Sequence, residues 1–209
     1  SRVAQAVDLL WNAKRPLVIS GRGAKGAGEV LCRFLDKLGA LYLDTGESKG
    51  LVPEDHPSVV AAMRGAVLSD ADVVITLGRR LDFQLAFGSP AVFGDAKLVR
   101  VGDAPGDLRD NRRGEIELFA DVGATLEALV AKAGDRPSQV DRAWAGALRR
   151  KHEERAAKLR QSMLAATTGT DGRLQPNRVL AELQARLRPD AVVIADGGDF
   201  LSFARVGLT

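Results

Sequence analysis

Five short apolar runs, each separated from the next by a helical or polar stretch, constrain this 209-residue chain more than any other feature. They are Pro16-Leu17-Val18-Ile19-Ser20, Ala40-Leu41-Tyr42-Leu43, Asp72-Val73-Val74-Ile75-Thr76-Leu77, Lys97-Leu98-Val99-Arg100-Val101 and Ile116 to Ala120. Each predicts a strand, the first of them short and buried. The long connections require parallel pairing. Several of them carry helical spacing: Val3, Ala6, Val7, Leu10 and Trp11 within residues 1–13, then Val30, Leu31, Phe34, Leu35 and Leu38, stopped by Gly39. Further helices are predicted over Val59 to Leu68 and Val122 to Lys132. The expected fold over residues 1–134 is therefore α/β: a doubly wound parallel sheet with helices on both faces and ligand positions at the carboxyl ends of the strands.

Ala133-Gly134-Asp135-Arg136-Pro137 breaks this pattern. Residues 135–190 read as a helical connector, with Val140, Trp144, Leu148, Leu159 and Met163 as a sparse stripe on a long helix, then a loop and a helix from Asn177 to Leu187. Ala191 to Ala195 reads as a sixth strand, followed by Asp196-Gly197-Gly198-Asp199. Residues 191–209 are expected to be the first strand and turn of a different sheet. A lone buried strand cannot satisfy its own backbone groups, so the chain is expected to be a piece of a longer protein.

Charge and composition remove several function classes. Thirty basic residues face 27 acidic ones, and the basic excess lies between residues 135 and 190, on what reads as a wet helix face. A general nucleic-acid grip is not expected. No apolar run exceeds five residues, so no membrane span is expected. A single cysteine, Cys32, excludes an internal disulfide and a thiolate metal cluster; it reads as a small core residue. Neither His56 nor His152 has a second ligand at zinc spacing. The first residues read as a helix rather than a signal peptide, and a cytoplasmic protein is expected.

Gly21-Arg22-Gly23-Ala24-Lys25-Gly26 follows a strand and precedes a helix, and Asp44 ends the next strand. That spacing suits a dinucleotide site, in which side-chain-free turns admit phosphate to the backbone N–H groups of a helix start. A NAD(P)-binding oxidoreductase domain is one reading of it; a tight strand-to-helix turn that simply needs glycine is another. Thr45, Gly46, Lys49 and Gly50 follow the second strand, and Gly78, Arg79, Arg80 and Asp82 the third. Asp103 follows the fourth and Asp121 the fifth. In a parallel sheet all of these converge on one rim, where arginine can pair with phosphate through two parallel bonds.

The order of these segments resembles the middle, Rossmann-like domain of thiamine-diphosphate-dependent enzymes, most like the acetolactate synthase catalytic subunit and its relatives. The matching stretches are Arg15-Pro16-Leu17-Val18-Ile19 with Gly21-Arg22-Gly23, and Lys49-Gly50-Leu51-Val52-Pro53-Glu54-Asp55-His56-Pro57. They continue through Asp72 to Asp82, Asp103-Ala104-Pro105 to Asn111-Arg112, and Asp196-Gly197-Gly198-Asp199-Phe200. The resemblance covers essentially the whole chain. It implies a homo-oligomeric enzyme that decarboxylates a small 2-oxo acid on thiamine diphosphate and magnesium and joins the product to a second carbonyl. It also implies that the catalytic glutamate and the magnesium motif lie outside this stretch, leaving it inactive alone. Middle domains of this family bind FAD, bind ADP, or are empty. Carried across by position, nucleotide contacts fall on Gly21, Gly23, Thr45, Gly46, Gly78, Arg80, Asp82, Asp103, Asp121 and Val122. Gly198 and Asp199 fall near the thiamine-diphosphate turn. Where acetolactate synthases carry Asp-x-Asp after the fourth strand, this chain carries Gly102-Asp103-Ala104; where they carry Gly-Gln-His near the diphosphate, it carries Asp199-Phe200.

Overall fold

A computed structural model describes residues 1–188 and 190–208 and divides the chain into two compact units, Ser1–His152 and the residues from Glu153 onward. The first unit opens with α1 (Arg2–Trp11), β1 (Pro16–Ser20), α2 (Gly28–Leu38), β2 (Leu41–Leu43), α3 (Arg64–Asp70) and β3 (Val73–Leu77). It continues with the short α4 (Pro90–Phe93), β4 (Lys97–Gly102), the short α5 (Pro105–Leu108), β5 (Ile116–Phe119) and α6 (Val122–Ala133). The long α7 (Arg142–Ala165) begins in this unit; α8 (Pro176–Gln184) and α9 (Asp199–Gly207) belong to the second.

The five strands form one all-parallel sheet in the order β2-β1-β3-β4-β5, as the apolar runs predict. Every residue of β1 and β3 is buried, as two-sided coverage demands. Alternation then sorts the side chains. Val18, Ile75, Val99 and Val101 share a core with α1, α2 and α6, whereas Leu17, Ile19, Val74 and Leu98 share the opposite core with α3, Phe93 of α4 and Leu148 of α7. The Asp72 carboxylate accepts from the amides of Lys14 and Arg15 at 2.8 and 2.9 Å, tying the entry of β1 to the entry of β3.

Helix ends follow local chemistry. Gly39, at φ 72°, closes α2 and donates its amide to Leu35 O at 2.7 Å. Asp121 opens α6 by accepting from the Ala124 amide at 2.7 Å. At the outer edge of the sheet, Arg2 donates to the Glu117 carbonyl at 3.0 Å, and Arg113 pairs with the Glu117 side chain.

Three expectations change. The run Ala191–Ala195 is not a strand: it is irregular and outside the sheet, with Ile194 90% exposed. A strand needs a neighbour for its N–H and C=O groups, and apolar residues alone do not supply one. The helix expected over Val59–Leu68 starts later, because Val59 forms a parallel bridge to Tyr42 along the free edge of β2. The first compact unit also continues past Gly134. Gln139 and Asp141 donate their amides to Trp11 O and Lys14 O, and Trp144 and Ala145 pack on the second core. Among the described residues, no helix is long and apolar enough to cross a membrane.

The loops leaving β1 and β3 cross at very short range. A methyl group on Gly78, which sits at φ +55°, would lie 2.3 Å from Gly23 Cα, whereas one on Gly26, at φ +84°, would meet nothing within 4 Å. Gly26→Ala should therefore cost about 1 kcal/mol, the penalty of the left-handed backbone alone, and Gly78→Ala more than about 3 kcal/mol, since the backbones must also part. Urea denaturation of both variants checks this; equal losses would show that the crossing does not constrain the fold.

Candidate functional site

The rim at the carboxyl ends of the strands gathers the loops that carry Gly21, Gly23, Thr45, Gly46, Gly78, Arg80, Asp82, Asp103, Asp121 and Val122. The strand ladder runs on into these loops. Gly21 N donates to Leu77 O at 2.9 Å, Gly23 N to Gly78 O at 3.0 Å, Gly78 N to Val101 O at 2.7 Å and Ala120 N to Gly102 O at 3.1 Å. The order β2-β1-β3 places the topological switch point between β1 and β3, where such sheets hold ligands.

Much of the expected binding chemistry is engaged in holding the rim together. The two glycine amides a phosphate would use are already bonded, and a short 3-10 turn, Arg22–Ala24, follows β1. Helix α2 starts only at Gly28, so a dinucleotide cradle opening directly into a helix start is not built here. This geometry does not favour the nicotinamide reading. Gly21 is needed because the stem of Arg79 lies across it: an added Cβ would sit 2.6 Å from Arg79 Cδ. Asp121 is a helix cap, and Val122 is a core residue. Gly46 takes φ +52° at the start of a 3-10 turn.

Thr45 belongs to a buried hydroxyl network that the sequence reading missed. Its Oγ1 donates to Ser20 O at 2.6 Å, and its amide donates to Ser48 Oγ at 2.9 Å. Ser48 Oγ also bonds Ser20 Oγ at 2.9 Å, and Ser20 Oγ meets the Tyr42 hydroxyl at 2.5 Å. The Thr-x-x-Ser spacing of a capping box was the available signal. Burial pushes the Tyr42 phenol up to about 12.

Charged groups gather on the β3 and β4 side. Arg79 grips Asp82 with both terminal nitrogens, at 2.7 and 2.8 Å, and reaches Gln84 Oε1 at 3.0 Å; its Nε is buried without a partner. The Arg79 hydrogen bonds hold the Asp82 carboxyl below its usual range. Arg80 is exposed and forms no hydrogen bond or ion pair with a described residue, its guanidinium carbon 3.8 Å from where a Cβ on Gly106 would lie. Asp103 is exposed nearby. Burial, and then the Asp103 charge, raise the Asp107 carboxyl.

Beneath them lies a second residue missed in the sequence. Arg100, 0% exposed in mid-strand, pairs with Asp110 through Nη1–Oδ1 at 2.7 Å and Nη2–Oδ2 at 2.8 Å. Burial pushes Asp110 up, but the bonds from Arg100 and from the Leu81 amide outweigh it and hold the carboxyl low. A basic residue inside an otherwise apolar strand was the visible signal. Gly198, at φ +85°, and Asp199 open α9 in the second unit. Among the described residues, no three His, Cys, Asp or Glu side chains gather to hold a metal ion.

Residues 3–129 match the family model described as the thiamine pyrophosphate enzyme, central domain. A probable acetolactate synthase of Mycobacterium bovis is 34% identical over 206 residues, covering 96% of this chain and 35% of that protein. The 2-hydroxyacyl-CoA lyase 1 of Mus musculus is 28% identical over 215 residues (100% and 36%), and the oxalyl-CoA decarboxylase of Escherichia coli 27% over 210 residues (97% and 36%). The chain spans about a third of the length of the curated relatives it matches.

Two titrations test this electrostatic picture. Tyr42 is the single tyrosine of the chain, so tyrosinate absorbance should rise with a midpoint near 12; a midpoint at an ordinary phenol value would show that the network is open to water. Asp110 has a lowered folded pKa, so its stabilisation is complete above the ordinary carboxylate range and is lost as pH falls through the folded value. Asp110→Asn should cost about 3 kcal/mol at neutral pH and flatten the acid limb of the stability curve. Denaturant melts across that limb measure both.

Proposed function

Because this chain belongs to the thiamine pyrophosphate enzymes as their central domain, we propose that its carboxyl rim binds the adenosine diphosphate moiety common to ADP and FAD. The observation that carries this reading is Arg80, an exposed guanidinium in the loop after β3 that forms no hydrogen bond or ion pair with a described residue, although its charge acts on the nearby Asp107 carboxyl. A guanidinium in that position offers a diphosphate paired, charge-assisted hydrogen bonds. Asp103, at the tip of β4, is the acid available to a ribose hydroxyl. Gly21, Gly23, Thr45, Asp82 and Asp121 serve the site by shaping it, since their polar groups are spent within the rim. This division of labour separates the residues that touch a ligand from those that hold the loops.

For the whole protein, we read a thiamine-diphosphate-dependent enzyme that decarboxylates a small 2-oxo acid, with carboligation as in the acetolactate synthase it resembles. Thiamine diphosphate, when bound, supplies the electron sink for that chemistry. The residues of this chain would contribute a folded frame and the nucleotide rim. The run Ala191–Ala195, with Val192 87% exposed, fits the reading of a segment that pairs with a further sheet.

Calorimetric titration of this chain with ADP, FAD and NADH tests the proposal. ADP and FAD should bind one competing site, and NADH should gain nothing over ADP. Failure of both ADP and FAD to bind would remove the nucleotide reading, and NADH binding far more tightly than ADP would favour a nicotinamide site instead.

A further inference from the structure

Every donor of the buried Arg100 guanidinium is directed at the sheet or at the two loops that flank Arg80. Nε donates to Thr76 Oγ1 at 3.1 Å, and Nη1 to Asp110 and to Arg112 O at 2.5 Å. Nη2 donates to Asp110, to the Asp107 carbonyl and to Arg79 O at 3.4 Å. The paired Asp110 carboxylate accepts in turn from the Leu81 amide at 2.5 Å. Arg80 therefore lies between two pinned backbone groups, the carbonyl before it and the amide after it. The surface under its guanidinium, Gly106–Asp107, is pinned by the same cation. Two further bonds close the arrangement: Asn111 Nδ2 donates to Leu81 O at 3.0 Å, and Arg112 donates to Gly88 O at 3.2 Å.

A buried ion pair is costly to desolvate, and an apolar pair of similar volume often stabilises a fold as well or better. What an apolar pair cannot do is hold four polar backbone groups from two loops in one register. We infer that Arg100 and Asp110 are a positioning pair whose task is to present Arg80, at a fixed place over Gly106, to a diphosphate at the rim. The inference rests on the nucleotide reading of the same rim and deepens it by naming what sets its affinity. Arg100 touches no ligand; it acts through Arg80.

A double-mutant cycle on this chain, read by calorimetry with ADP, separates positioning from general stability. Arg80→Ala should weaken ADP about tenfold, the scale of one lost charge-assisted contact. Arg100→Lys keeps the charge but has too few donors for this array, and should weaken ADP by a similar factor. The double variant should bind no worse than Arg80→Ala alone, whatever its melting temperature. Losses that multiply to about a hundredfold would overturn the inference, as would Arg100→Lys or Arg80→Ala binding like wild type. Should Arg100→Lys not fold, Asp110→Glu, which keeps the pair but lengthens the carboxylate, takes its place with the same expectation. Wild-type protein that binds neither ADP nor FAD overturns the nucleotide reading and this inference together; binding with independent losses overturns only the inference.

Discussion

The contact between Gly23 and Gly78 sets the terms for the rest of the rim. Adjacent parallel strands deliver their following loops to the same place, and here those loops meet with no room for a side chain on either. Once the two backbones touch, Gly23 N can bond Gly78 O, and the stem of Arg79 can lie across Gly21. Arg79 then turns back to clasp Asp82, and the next residue, Arg80, is left exposed without a hydrogen bond or ion pair to a described residue. A glycine pattern that invites comparison with phosphate loops is in this chain primarily a device for backbone-to-backbone approach. That distinction leaves the glycine amides bonded within the rim.

What could be read in the residues follows from how local each signal is. The inner strands were legible because two-sided burial forces consecutive apolar residues, and few other structures ask for that; β5, with Phe119 exposed, is the edge exception. The end of α2 at Gly39 was legible because caps act within four residues. The family resemblance was legible because its motifs span the chain. The segments around α4 and α5 left no clear pattern, since single-turn helices are too short to show a period. Arg100 was read as part of a strand, but its burial depends on Asp110 ten residues on and on carbonyls of Arg79, Asp107 and Arg112. No window along the sequence contains that geometry. The hydroxyl network of Ser20, Tyr42, Thr45 and Ser48 escaped for the same reason, because it joins two strands and a loop.

The run Ala191–Ala195 shows the converse. Its composition specifies a strand, yet composition can state only a preference for burial; pairing needs a neighbour with free backbone groups. Candidate binding residues divide along the same line. Those chosen by position on the rim, such as Thr45 and Asp121, are at the rim, but their polar atoms are already committed. Position in a parallel sheet is readable from topology, whereas availability of a hydrogen-bonding group is a property of packing.

The outer margin of β5 carries a consequence for the molecule in solution. Terminal strands of a sheet are templates onto which other chains can zip, and natural proteins blunt them with charge. Here the Glu117 carbonyl is occupied by Arg2, and the Arg113–Glu117 pair stands beside it. An incoming extended segment would have to displace one guanidinium and strip water from another before gaining its first ladder bond. The apolar, 63% exposed Phe119 at the tip of that strand thus sits beside a margin whose first ladder position is already taken.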